Sequence, residues 1–358
     1  MAHDSSSTTN GTNGHANGNA NGNGTTNSPA TKTALKVVFG AMTFGRQGAE
    51  QARIHDLKDC AAVLDVLQAH GHNEIDTARI YAGGSSEEYL GQLDLKKRGI
   101  LIDTKLSPRK FGPKAYSHKP EGLKLGLEES LVALKTDKLD CWYLHAPDPN
   151  TPYAVTLKAV NDLYQAGHFT RFGISNYTAW EVAQISELCI ANGWKRPDVY
   201  QGCYHALQRS VEPELLPCLR HYGIAFYCFS PLAGGMLTDK YQRDTTEVEP
   251  GSRFDPNRMQ GKNFRGRYWN EAYFSALDVI RPVAKKLGLS TAEAASRWVM
   301  HHSALRKEHG DAVIIGASSA AQLEENLVNL EKGPLPAELV EAFEEAWRQV
   351  KGVAGPYY

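Results

Sequence analysis

Eight short apolar runs alternate with helical stretches from residue 34 onward, and this alternation restricts the fold more than any other feature of the chain. The runs are Leu35–Phe39, Asn73–Ile75, Ile100–Ile102, Leu139–Leu144, Arg171–Ile174, Asp198–Tyr200, Ile224–Tyr227 and Ala312–Ile315. Between them apolar residues recur three and four apart, as at Leu123, Leu127, Leu131 and Leu134, or at Leu57, Ala61, Leu64 and Leu67. That is the spacing of one helix face. Gly71, Gly167 and Gly223 each sit between a helical run and the next apolar one, where a helix stops. Strand and helix alternating at this spacing build parallel βαβ units. Eight units in about 300 residues predict the α/β class with a closed (β/α)8 TIM barrel rather than an open sheet. Two segments exceed a minimal barrel. One is a long polar loop over 236–271, after the seventh run. The other is an extra C-terminal helix over 336–350, opened by Pro334 and Pro336 and apolar at Leu339, Val340, Phe343 and Trp347.

Residues 1–33 stand apart, being Asn, Gly, Ser, Thr and Ala with hardly a large apolar side chain. Such a stretch buries too little surface to offset its ordering entropy. A disordered tail is therefore predicted, followed by a barrel domain over 34–358. The 39 Lys and Arg against 40 Asp and Glu lack the basic footprint of a nucleic-acid binder. No apolar run approaches the roughly 20 residues of a membrane helix, and the N-terminus carries no charged-then-apolar signal pattern. Cys60, Cys141, Cys189, Cys203, Cys218 and Cys228 show no Cys-x-x-Cys spacing, so no metal site is indicated. The expectation is a cytoplasmic chain with reduced, mostly buried thiols.

The runs end in chemistry. The second ends at Asp76, with Tyr81 five residues on. The third leads to Lys105 and the fourth to His145. In a parallel barrel these tips converge on one face, where catalytic groups gather. Singly, each has a plain reading: Asp76 as a helix cap, Tyr81 as a half-buried ring, Lys105 at the surface, His145 in a loop. Together they suit carbonyl reduction by hydride, in which the developing alkoxide needs a proton. A free tyrosine has a pKa of about 10 and donates reluctantly near neutrality. A nearby ammonium favours the phenolate and is expected to lower that value. A carboxylate would hold the ammonium in place, and an imidazole would orient the carbonyl oxygen.

Asp76, Tyr81, Lys105 and His145, in this order, resemble the catalytic tetrad of the aldo-keto reductases. The likeness extends over about residues 35–358. It is nearest to the branch of aflatoxin aldehyde reductases and succinic semialdehyde reductases. Its blocks are Glu74-Ile-Asp-Thr-Ala, Ile102-Asp-Thr-Lys, Tyr143-Leu-His, Gly173-Ile-Ser-Asn-Tyr, Phe229-Ser-Pro-Leu-Ala-Gly-Gly and Gly316-Ala-Ser-Ser. No Gly-x-Gly-x-x-Gly follows the first run, and Gly40 to Gly45 has the wrong spacing, which argues against a Rossmann dehydrogenase. It does not argue against nicotinamide, because the resembled family lays the dinucleotide across the barrel mouth.

The resemblance implies that Ser175, Asn176 and Gln201 contact the nicotinamide amide. It implies that Ser230, Pro231, Leu232, Ala233, Gly234, Gly235, Met236 and Leu237 line the pyrophosphate and ribose. Lys240 and Arg253 are candidate phosphate contacts. Ser318 and Ser319 precede a helix, where free amides suit a phosphate and a serine also suits an N-cap. Gln322 and Asn326 match positions near the adenine. The cofactor expected is NADPH/NADP+ rather than NADH. Ser230 departs from the branch, which usually has Asn there.

For a small-molecule carbonyl substrate, the first loop, the 236–271 connection and the C-terminus offer Met42, Phe44, Phe111, Tyr268, Trp269, Tyr357 and Tyr358. Arg265 and Arg267 are candidates for receiving a carboxylate. Each of these also has a packing or surface reading. The resemblance makes a homodimer plausible. A reading of another class is a cofactor-binding auxiliary subunit of potassium channels, which share the barrel. The tail, however, lacks the cationic and apolar residues of a pore-blocking segment.

Overall fold

The computed structural model describes residues 31–108 and 116–358. All eight runs are strands. They are β1 (Lys36–Gly40), β2 (Glu74–Asp76), β3 (Leu101–Leu106), β4 (Leu139–Leu144), β5 (Phe169–Ser175), β6 (Val199–Cys203), β7 (Ala225–Phe229) and β8 (Ala312–Ile315). Each pairs in parallel with the next, and β8 returns to β1, closing the barrel. Helices outside the barrel cover the strands. Gly71, Gly167 and Gly223 have φ of 81°, 85° and 68°, the left-handed stop that glycine adopts at least cost. Of residues 1–33, only the last three lie among those described. Among the described residues, no helix is long and apolar enough to cross a membrane.

The main apolar core lies between sheet and helices, and a smaller cluster fills part of the barrel interior. That inner cluster holds Val38, Cys141, Tyr143, Val199, Tyr227, Ala312 and Ile314. The six cysteines are free thiols, and all but Cys218 are buried. One inward glycine is dictated by a neighbour. A Cβ on Gly173 would stand 2.2 Å from Cδ1 of Tyr143, whose ring occupies the space. Gly173→Ala is therefore expected to cost about 1–3 kcal/mol by overpacking. Urea unfolding would read it, and an unchanged midpoint would refute the packing argument.

The connection after β7 is less loop-like than its polar composition suggests, because residues Met259–Tyr268 form a helix. An aromatic chain anchors it: Tyr241 to Phe254 at 4.9 Å, Phe254 to Trp269 at 5.4 Å and Trp269 to Phe274 at 5.5 Å between centroids. The Asp255 carboxylate accepts from the Gly251 and Asn257 amides at 2.7 and 2.9 Å and so fixes the preceding turn. The terminal helix spans Ala337–Val350, with Pro336 at its cap. It buries Leu339, Phe343 and Trp347, three positions of its expected apolar face.

Candidate active site

Asp76 is the last residue of β2, and Lys105 lies beside it near the end of β3. Both are buried. Lys105 Nζ donates to Asp76 Oδ1 and Oδ2, each at 2.6 Å, and to the Thr77 carbonyl at 2.7 Å. The three protons of the ammonium thus have three acceptors. Burial works against this ammonium. The Asp76 carboxylate and the Tyr81 hydroxyl outweigh it, and the net direction for Lys105 is up. Gln201 of β6 adds its side-chain N–H to Asp76 Oδ1 at 2.8 Å, so the carboxylate is held from two strands.

Tyr81 begins a tight turn after β2, in which Ala82, Gly83 and Gly84 take φ of 50°, 65° and 95°. The turn brings the ring to 5.1 Å from Lys105 Nζ, and the His145 ring stands edge-on to it at 5.7 Å and 81°. His145 follows β4, its backbone N–H donating to the Leu106 carbonyl at 2.9 Å. The four strand-end residues therefore meet as the sequence predicts.

Lys105 acts on Tyr81 in the expected direction, but burial outweighs it. Burial pushes the phenol above the ordinary tyrosine value. Lys105 pulls it down, Asp76 pushes it up again, and the net direction is up. Burial is thus the dominant influence on the phenol, and Lys105 is the largest influence opposing it. The result is a tyrosine held protonated across neutral pH.

Above these groups opens a cavity of about 470 Å³. Asp76, Tyr81, His145, Ser175, Asn176 and Gln201 line it. The Asn176 side chain donates to the His145 carbonyl at 2.9 Å and to Ser175 Oγ at 3.0 Å. Asn176 and Ser230, at the ends of β5 and β7, take φ of 63° and 58°. Asn tolerates the left-handed region better than Ser, so Ser230 is the more strained of the two.

Ser230, Pro231, Leu232, Gly234 and Gly235 form one wall, but Ala233, Met236 and Leu237 turn into the core and are fully buried. Across the cavity, Ser318, Gln322 and Asn326 line the wall. Gln322 accepts from the Ser318 amide at 2.7 Å, and Asn326 donates to the Gly316 carbonyl at 3.4 Å. Ser319 is the N-cap of the helix Ala320–Glu331 and is not in the wall. At the mouth, Glu249 bridges Lys240, at 2.8 Å, and Arg53. Arg253 also lines the cavity, its guanidinium 5.4 Å from the Phe264 ring centroid, and no carboxylate among the described residues pairs with it. Burial lowers it to about 10. A desolvated, unpaired guanidinium is costly unless an anion meets it.

Most substrate candidates lie elsewhere. Met42 is in the wall, with Gln260 Nε2 3.8 Å from its sulfur. Tyr268 is not in the wall. The helix Met259–Tyr268 turns it into the core, with its hydroxyl 3.1 Å from His205 Nε2 and 3.6 Å from Cys203 Sγ. Tyr358 is 54% exposed and stacks edge-on to Tyr357, away from the cavity. Tyr357 is buried, its hydroxyl accepting from the Ala179 amide at 2.9 Å. Phe44 packs on Phe39 in the core. Trp269 belongs to the aromatic anchor. Arg265 stacks on it at 4.2 Å and donates to the Phe254 carbonyl at 2.7 Å. Arg267 is not in the wall either. Phe111 lies outside the described residues. The wall also includes Arg53, Phe229, Gln260 and Phe264, none of which was a candidate site residue, although Phe229 opens one of the blocks of the resemblance. Of these only Phe229, ending β7, carried a positional signal.

The model of the aldo/keto reductase family matches residues 36–348. The chain belongs to this family. An aldo-keto reductase of Pseudocercospora fijiensis is 64% identical over 296 residues, covering 83% of this chain and all of that one. The aldo-keto reductase pigE of Monascus ruber is 48% identical, covering 91% and 98%. The human aflatoxin B1 aldehyde reductase member 2 is 42% identical, covering 90% and 89%. In structure, the glycerol dehydrogenase of Gluconobacter oxydans superposes with a TM-score of 0.67 at 24% identity, covering 89% of this chain and 93% of that one, a likeness of fold. This aldo-keto reductase is an oxidoreductase by family, and a nicotinamide cofactor follows from the same membership.

Proposed function

We propose that the chain reduces an aldehyde or ketone to the alcohol with NADPH, taking the proton from Tyr81. The observation that carries this reading is the Tyr81–Lys105–Asp76 cluster at the floor of a cavity whose wall holds an unpaired arginine. When bound, the nicotinamide supplies the hydride. The chain does the rest. His145, beside the Tyr81 ring, orients the carbonyl oxygen toward the phenol. Burial keeps the Tyr81 proton in place until the oxygen gains charge. Lys105 then stabilises the phenolate that remains, and Asp76 with Gln201 holds Lys105 still.

Support for the cofactor comes from the wall. Arg253 offers an uncompensated cation, Lys240 and Arg53 share one carboxylate, and Gly234 and Gly235 permit close backbone approach. Cations beyond the number of anions favour the extra phosphate of NADPH over NADH. Aldehyde reduction fits the human relative, an aflatoxin B1 aldehyde reductase, and a cytoplasmic setting fits such an enzyme.

The test is oxidation of NADPH by the purified full-length chain, followed by absorbance, with NADH in parallel. Succinic semialdehyde, an aromatic aldehyde and an aromatic quinone serve as substrates. Turnover is expected with at least one of them, with NADPH favoured by about tenfold or more, the worth of one charge-assisted hydrogen bond. No turnover despite tight NADPH binding would sink the enzymatic reading.

A further inference from the structure

Beneath the Asp76–Lys105 pair, inside the barrel, lies a second layer of charge that the proposed reaction does not use. Asp103 of β3 stands opposite Asp76 in the strand register and two residues before Lys105. It is fully buried. Its Oδ1 accepts from Arg171 Nη2 at 3.3 Å, while Oδ2 meets no donor. The Glu74 and Asp103 carboxyls share one nitrogen, Arg171 Nη2, at 3.0 and 3.3 Å. Glu74 is the better served of the two, receiving Lys36 Nζ and, at 3.0 Å, Arg171 Nη2. Tyr227 completes the layer, its hydroxyl accepting from Arg171 Nη1 at 2.9 Å.

Two buried carboxyls converging on one guanidinium nitrogen disfavour each other's ionisation. The proton belongs on the one with fewer cationic partners, which is Asp103. The titration directions agree. Burial and then the Glu74 charge push Asp103 well up. Burial opposes the Glu74 anion, but Arg171 and Lys36 outweigh it and hold it below the usual range.

We propose that Asp103 is a positioning residue, kept as a neutral acid that donates its proton to Glu74 and so leaves Asp76 as the one carboxylate beside the Lys105 ammonium. This rests on the reductase reading of the cavity above. An ionised Asp103, two residues from Lys105 on the same strand, would compete with Asp76 for the ammonium and draw it from Tyr81. The groups facing Asp103 are Glu74 and Asp76 from β2, Lys105 on its own strand, Cys141 and Tyr143 from β4, Arg171 from β5 and Tyr227 from β7. Lys36 of β1 lies beyond Glu74.

Two variants test the proposal. Asp103→Asn is a neutral isostere that can still donate to Glu74 and accept from Arg171. It should fold with kcat within about threefold of wild type across neutral pH. Glu74→Gln removes the anion that holds Asp103 neutral, so Asp103 ionises against Arg171. Its kcat should fall by about tenfold with the Kd for NADPH unchanged, and adding Asp103→Asn should restore most of the loss. An infrared difference spectrum between wild type and Asp103→Asn should show a protonated carboxylic-acid carbonyl at neutral pH, present only in wild type. That readout needs no turnover, so it keeps its value if Glu74→Gln fails to fold. It also separates this proposal from the reductase reading, because the band persists even if no carbonyl is reduced. Absence of the band, or a loss of about a hundredfold in kcat for Asp103→Asn, would mean that Asp103 works as a carboxylate and would overturn the proposal.

Discussion

Tyr81→Phe is expected to lower kcat by about 10²–10⁴-fold, the range for a lost general acid. The Kd for NADPH should change by less than about twofold. The substitution keeps the ring that meets His145 and Lys105 and deletes only the hydroxyl. Its effect on the unfolding midpoint should therefore be small. The wild-type pH profile carries a matching expectation. The donor is the protonated phenol, and burial raises Tyr81 above the free value of about 10. Reduction should then hold through neutrality and decline only as pH climbs through that raised value. Wild-type turnover in Tyr81→Phe would remove Tyr81 from the mechanism.

Lys105→Met should cost both turnover and stability. Methionine fills the volume of the lysine stem but leaves the Asp76 carboxylate buried with Gln201 as its side-chain donor. Breaking a buried pair from one side costs about 3–5 kcal/mol. The diagnostic comparison is the double variant Lys105→Met with Asp76→Asn. Neutralising both partners should recover most of the stability while turnover stays lost, because the phenolate still lacks its cation. Urea unfolding and steady-state turnover read the two separately. Equal stability of the single and double variants would show that the pair does not govern folding.

The barrel was legible because each strand is an apolar run bounded by helix-stop and turn residues, and because parallel strands need crossovers of the length seen between them. The strand-end residues were legible for a related reason. A strand is short, so its last residue is known to within one or two positions, and in a closed barrel every such end opens on the same side. What sequence reasoning missed depends on direction rather than position. Tyr268 was expected in the pocket because it sits in a polar, arginine-rich stretch. That stretch is a helix, and the helix turns Tyr268 inward onto His205. Tyr357 and Tyr358 are adjacent in the chain, yet one caps the Ala179 amide and the other faces water. The alternation of Ala233, Met236 and Leu237 with wall residues follows from the left-handed turns at Ala233, Gly234 and Gly235, which no periodicity encodes. Nor does sequence spacing show that Gln201, from the far side of the sheet, is a partner of Asp76.

The three hydrogen bonds of Lys105 bear on selectivity as well as on proton delivery. Aldehydes condense with free amines, and condensation requires a lone pair on nitrogen. A site that gathers aldehydes beside a lysine risks trapping them as imines. Here the ammonium spends its protons on Asp76 and Thr77, and its raised pKa keeps the lone pair occupied. The nitrogen is also sealed from solvent, 5.1 Å from the Tyr81 ring centroid, and Lys105 is not in the cavity wall. Under the proposed reductase reading, an incoming carbonyl would meet a proton donor there and no nucleophile, and an aldehyde substrate would leave the lysine unmodified.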